Sequence, residues 1–67
     1  MISFTVNGEI YYTKQNLVLF DLLNYFDYNQ ELLVLEYNNL VCSKKNWRNI
    51  FIKINDKIEI VTIVGGG

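Results

Sequence analysis

Histidine and proline are absent from this 67-residue chain, and cysteine, methionine and tryptophan occur once each. Without histidine, no serine or cysteine nucleophile has its usual activating base. The single cysteine, Cys42, excludes an internal disulfide, which fits a reducing compartment, and a metal site is equally hard to build. Cys42 follows Leu40 and Val41, the setting of a small core hydrophobe more than of a reactive thiol. A basic surplus is missing too. Six Lys and Arg face seven Asp and Glu, so the chain lacks the charge needed to neutralise phosphates, and nucleic acid is not an expected partner. Apolar runs fall well short of the roughly 20 residues of a membrane helix. No charged, then apolar, then small-residue pattern opens the chain. The expectation is a soluble, intracellular protein, unprocessed at its N-terminus and not associated with a membrane.

What is present is one small domain, near the lower limit at which a single core holds a fold without staples. Ile2, Phe4 and Val6 alternate with Ser3 and Thr5, the period of a half-buried strand. Asn7-Gly8 is a strong hairpin signal because both positions accept positive φ, and Glu9 to Thr13 forms the returning strand. Between Asn16 and Asp27 the period changes. Leu19, Leu22, Leu23 and Phe26 fall on one helical stripe, with Asn16 as the expected cap and Asp21, Asn24 and Asp27 mostly off the stripe. Leu32 to Tyr37 is rich enough in apolar residues for a central strand, and Asn38-Asn39 turns the chain. Leu40 to Cys42 reads as a short strand, with Ser43 expected to cap a helical turn through Trp47. Phe51, Ile52 and Ile54 add apolar surface before the Asn55-Asp56-Lys57 turn and a last strand from Ile58 to Val64.

One helix must therefore cover one face of a mixed sheet, and a terminal strand beside the first would run parallel to it. The expected class is α+β. By fold analogy it is a β-grasp (ubiquitin-like) domain, with a mixed sheet of four to five strands, one main helix on one face and a short helical turn. Residues 1–64 are expected to form the domain and 65–67 a flexible glycine tail. Lys44 and Lys45 beside Trp47 read as a solvated turn with the indole packed inward. The five tyrosines, without a basic groove, read as core edges and surface rather than as base-stacking platforms.

The ending Val64-Gly65-Gly66-Gly67 is where the chemistry is expected. Glycines lie extended with little bulk, and the four residues would reach roughly 13 Å, enough to carry a carboxylate into a buried site. A frayed end is the alternative reading of the same residues. In the last strand, inward Ile58 and Ile60 would leave Val61 and Ile63 as an apolar docking patch continuing into Val64.

A chain of this length that opens Met1-Ile2 and Val6-Asn7-Gly8 already narrows the field. It carries Asp21-Leu22-Leu23 in its helix and closes Asn55-Asp56-Lys57-Ile58-Glu59-Ile60 before Val64-Gly65-Gly66-Gly67. Together these segments resemble the ThiS family, the sulfur carrier proteins of thiamine biosynthesis. The resemblance spans the whole chain. Its most specific part is the tail in register with an Asp-x-Ile-x-Ile strand; departures are Cys42, near which the family commonly has proline, and Asn55-Asp56, where it often has Asp-Gly-Asp.

The resemblance implies a cycle on Gly67. A ThiF-type adenylating enzyme would use ATP and magnesium to form an acyl-adenylate, and sulfur from a cysteine desulfurase route would convert it to a thiocarboxylate. A ThiG-type thiazole synthase would take that sulfur into the thiazole ring. Gly67 would carry the sulfur, Gly65 and Gly66 would thread the partner, and the chain itself would bind no cofactor and catalyse nothing. A MoaD-like carrier for molybdopterin synthesis, a ubiquitin-like modifier and an interaction module with inert glycines are the alternatives. Nine asparagines with abundant Ile, Lys and Tyr suggest an AT-rich genome, either that of a low-GC bacterium or of an organelle such as a plastid.

Overall fold

The computed structural model describes residues 1–63. Strands β1 (Ile2–Val6) and β2 (Glu9–Thr13) precede helix α1 (Leu19–Tyr25). Strands β3 (Leu33–Tyr37), β4 (Leu40–Cys42) and β5 (Lys57–Thr62) follow, with 3-10 turns at Gln30–Leu32 and Lys44–Asn46. The sheet order is β2-β1-β5-β3-β4. β5 is thus the middle strand, parallel to β1 through Thr5↔Lys57 and Val6↔Ile58 and antiparallel to β3 through five pairs from Leu33↔Thr62 to Tyr37↔Ile58. This is the β-grasp arrangement, a mixed five-stranded sheet with one helix laid across one face.

The turns explain why the strands close where they do. Asn7 and Gly8 both take positive φ (50° and 85°), the backbone of a two-residue hairpin loop whose twist matches its strands. Asn38, Asn39 and Asn55 also sit at positive φ, a region that asparagine tolerates better than most side chains. Asn55 thus supplies the conformation that a glycine would adopt freely at the same turn.

Helix α1 is shorter than the Asn16–Asp27 pattern and is not capped by Asn16. The residue before it, Val18, has no side-chain acceptor, and its own amide donates weakly to Asp21 Oδ2 at 3.4 Å. The amides of Leu19 and Phe20 instead donate to the carbonyls of Ile50 and Trp47, both at 3.0 Å. A distant segment thus supplies acceptors for amides that would otherwise lack intrahelical partners. At the other end Asp27 turns out of the helix at φ 59°. Ser43 likewise precedes its 3-10 turn without a side-chain cap; its carbonyl accepts from the Asn46 amide at 2.9 Å.

Leu19, Leu22 and Leu23 from α1 meet Phe4, Val6, Leu33, Leu35, Ile58 and Ile60 from the sheet, with Trp47 and Ile52 closing the core from the long connection. The Trp47 indole N–H donates to the Cys42 carbonyl at 3.0 Å, so the ring is buried without an orphan donor, while Lys44 and Lys45 stay exposed. Of the apolar residues ahead of the Asn55-Asp56-Lys57 turn, Ile52 is buried while Phe51 and Ile54 are exposed. Cys42 is half-buried, and burial pushes its thiol pKa up, away from the thiolate.

Candidate functional site

Strand β5 is the element that leads to the C-terminus, and three sets of contacts fix it. At its start, the Asp56 carboxylate is buried. It accepts from Tyr37 Oη at 2.6 Å, from the Lys53 amide at 2.7 Å and from Asn38 Nδ2 at 3.1 Å. Burial, together with this hydrogen bond to Asp56, pushes the Tyr37 pKa up to about 12. Midway along the strand, the Ile60 amide donates to Asn7 Oδ1 at 2.7 Å, tying β5 to the β1–β2 turn. Past its end, the Ile63 amide donates to the Leu32 carbonyl at 2.6 Å, so the backbone stays pinned to the turn that leads into β3 as far as Ile63.

Side chains alternate along β5 as the period of two demands. Ile58 and Ile60 are buried under α1, while Val61 and Ile63 are 57% and 51% exposed. Val34 lies directly opposite Val61 in the β3–β5 register, and exposed Leu32 is the residue that holds Ile63. Val41 adds a further exposed side chain at the pair Glu36↔Val41. The apolar patch on the open face therefore spans three strands. Next to it, Glu36 and Glu59 are paired across β3 and β5, a like-charge arrangement that is unfavourable unless a cation is brought to it.

Of the site residues expected from the sequence, Val61 and Ile63 thus share one exposed face. Val64, Gly65, Gly66 and Gly67 lie outside the described residues, as does the expected boundary between domain and tail. The sequence reading missed Val34, Leu32 and Val41. The run Leu32-Leu33-Val34-Leu35 has no polar alternation, so its two faces cannot be told apart until the partner strand is known. Among the described residues, no group of three or more acidic, histidine or cysteine side chains is placed to hold a metal ion, and no helix is long and apolar enough to cross a membrane.

The described residues form a small β-grasp domain that presents an exposed apolar face beside its last strand. The chain belongs to the ThiS family, whose model matches residues 3–67. A solved structure titled as thiamine biosynthesis protein (ThiS) from Geobacter metallireducens superposes with a TM-score of 0.82 at 26% identity, covering 98% of this chain and 100% of that one. An uncharacterized protein ycf40 of Trieres chinensis is 66% identical over 65 residues, 97% of this chain and 89% of that protein. The protein of the same name from Porphyra purpurea is 41% identical over 66 residues, 98% and 93% of the two chains.

Proposed function

We propose that the protein is the sulfur carrier for the thiazole ring of thiamine, with Gly67 as the sulfur-bearing residue. The observation that carries this reading is the family match, which extends through Gly65, Gly66 and Gly67. A carboxylate is a poor electrophile, so its oxygen must first attack the α-phosphate of magnesium-bound ATP, releasing pyrophosphate and leaving an acyl-adenylate. The terminal sulfur of a persulfide then attacks the acyl carbon and AMP departs. A second thiol attacks the enzyme-side sulfur of the resulting acyl disulfide, so a new disulfide forms on the enzyme side and the thiocarboxylate is released on Gly67.

The chemistry of activation belongs to a ThiF-type enzyme, the persulfide to a cysteine desulfurase route, and the acceptor to a ThiG-type synthase. The chain's own part is to present the terminus and to dock. Val34, Val61 and Ile63 form the apolar centre of the docking face, and a cationic side chain on the activating enzyme relieves the Glu36/Glu59 repulsion beside it. The algal sources of the ycf40 relatives support a plastid as the compartment.

Intact-protein mass spectrometry after incubation with ATP, a ThiF-type enzyme and a persulfide donor tests the reading. The expected result is a gain equal to sulfur replacing oxygen, mapped to Gly67. No adenylate and no gain, with an enzyme shown to be active on a known carrier, refutes it. Sulfur transfer to a molybdopterin precursor instead of a thiazole synthase would move the protein to the MoaD-like branch.

A further inference from the structure

The two edges of the sheet differ, and the β2 edge carries an inference independent of sulfur transfer. β4 is three residues long, whereas β2 runs for five, Glu9-Ile10-Tyr11-Tyr12-Thr13, without proline, without a bulge and with only one charged side chain. Edge strands are ordinarily protected by such devices against pairing with another chain.

The direction of the unpaired backbone groups on β2 follows from its neighbours. The Thr5 and Asn7 amides donate to the Asp56 and Ile58 carbonyls, and the Ser3 carbonyl accepts from the Asn55 amide, so the odd-numbered groups of β1 face β5. Ile2, Phe4 and Val6 therefore bond toward β2, where their partners are Thr13, Tyr11 and Glu9. The amides and carbonyls of Ile10 and Tyr12 point away from the sheet. Their side chains are 63% and 66% exposed.

We propose that β2 pairs antiparallel with β2 of a second copy of this chain about a two-fold axis at Tyr11. In that register Ile10 of one copy lies opposite Tyr12 of the other. The outward groups then make four backbone hydrogen bonds, and the two Tyr11 residues meet as the closer, non-hydrogen-bonded pair. The exposed Ile10 and Tyr12 side chains cover one another across the seam. A shift by one residue would put each side chain opposite one on the other face, so the register is restricted.

In the antiparallel sense each Glu9 lies opposite the partner's Thr13, so no like charges meet across the seam. The product is a ten-stranded sheet in which the C-terminal ends of the two β5 strands lie at opposite ends, so neither obstructs the other. Two five-residue strands bury less area than a standard stable interface, so the dimer is weak and concentration-dependent.

Sedimentation equilibrium of the full chain across a concentration series, combined with amide hydrogen exchange, tests the assignment. The expected result is a mass rising from 7.9 kDa toward twice that value at millimolar concentration. The Ile10 and Tyr12 amides should become protected in parallel, while the Tyr11 amide is protected throughout. Ile10→Pro removes an outward donor and Tyr12→Lys places a charge on the seam; each abolishes the mass increase while far-ultraviolet circular dichroism stays native. Tyr12→Lys decides the matter should the proline variant misfold. A mass of one chain at every concentration overturns the proposal, as does a dimer that survives both substitutions or is lost in the opposite-edge variant Leu40→Lys.

Discussion

Asp56→Ala should destabilise this domain more than any surface substitution, because one buried carboxylate holds three separate segments. Its oxygens accept from Tyr37 in β3, from Asn38 in the β3–β4 turn and from the Lys53 amide ahead of β5. A hydrogen bond to a charged acceptor contributes about 1.5–3 kcal/mol. Tyr37 is only half-buried, and Asn38 and Lys53 are exposed, so water replaces part of each bond. About 1 kcal/mol per bond is the appropriate scale, giving a loss of ~3 kcal/mol. A domain of this length has only roughly 3–10 kcal/mol in total. The midpoint of thermal unfolding should therefore fall by roughly 12–24 °C. Urea unfolding followed by the fluorescence of Trp47, the sole tryptophan and fully packed in the core, measures the change directly. Asp56→Asn retains one acceptor oxygen and should lose about half as much. A loss below ~1 kcal/mol in Asp56→Ala would refute the idea that this carboxylate organises the entry to β5.

The remaining expectations concern pH, docking and the terminus. Because the Tyr37 pKa in the fold is raised from 10.0 to about 12, its contribution to stability is complete below pH 10 and is lost as pH rises through about 12. The stability difference between the protein and Tyr37→Phe, measured by urea unfolding at stepped alkaline pH, should shrink over that window; a constant difference contradicts the Tyr37–Asp56 bond. Val61→Asp, adding a carboxylate next to Glu36 and Glu59, should weaken binding to the activating enzyme at least tenfold in calorimetric titration. Its cost in stability should be no more than about 1 kcal/mol, and a larger loss would place Val61 in the core. Gly67→Ala should sharply slow pyrophosphate release by the activating enzyme without lowering the melting temperature, since the last buried side chain among the described residues is Ile60. Unchanged adenylation kinetics would count against the need for a bare glycine terminus.

Much of this architecture is legible in the residues because local and global preferences agree. Asn7-Gly8 between two alternating segments closes a two-residue hairpin, and of the Leu19, Leu22, Leu23, Phe26 stripe the three leucines are buried while Phe26, at the helix C-cap, is partly so. What escaped was tertiary. The start of α1 depends on the carbonyls of Trp47 and Ile50, which lie 27 and 31 positions beyond the amides of Phe20 and Leu19 that they accept from, and no local pattern around Asn16 reveals them. Asp56 read as a turn residue because nothing in Asn55-Asp56-Lys57 reveals that Tyr37 and Asn38 will come to its carboxylate. On the open face Val61 and Ile63 were found from strand period alone, but their neighbour Val34 required the β3–β5 register.

The placement of β5 between β1 and β3 has a mechanical consequence. A partner that draws on the C-terminal end of this strand loads it along its own axis, against hydrogen-bonded neighbours on both sides. Bonds so loaded resist together in shear, whereas a strand at the margin of a sheet would peel away one bond at a time. Were a partner to pull on that end, the load would be shared through the centre of the sheet rather than borne by one margin.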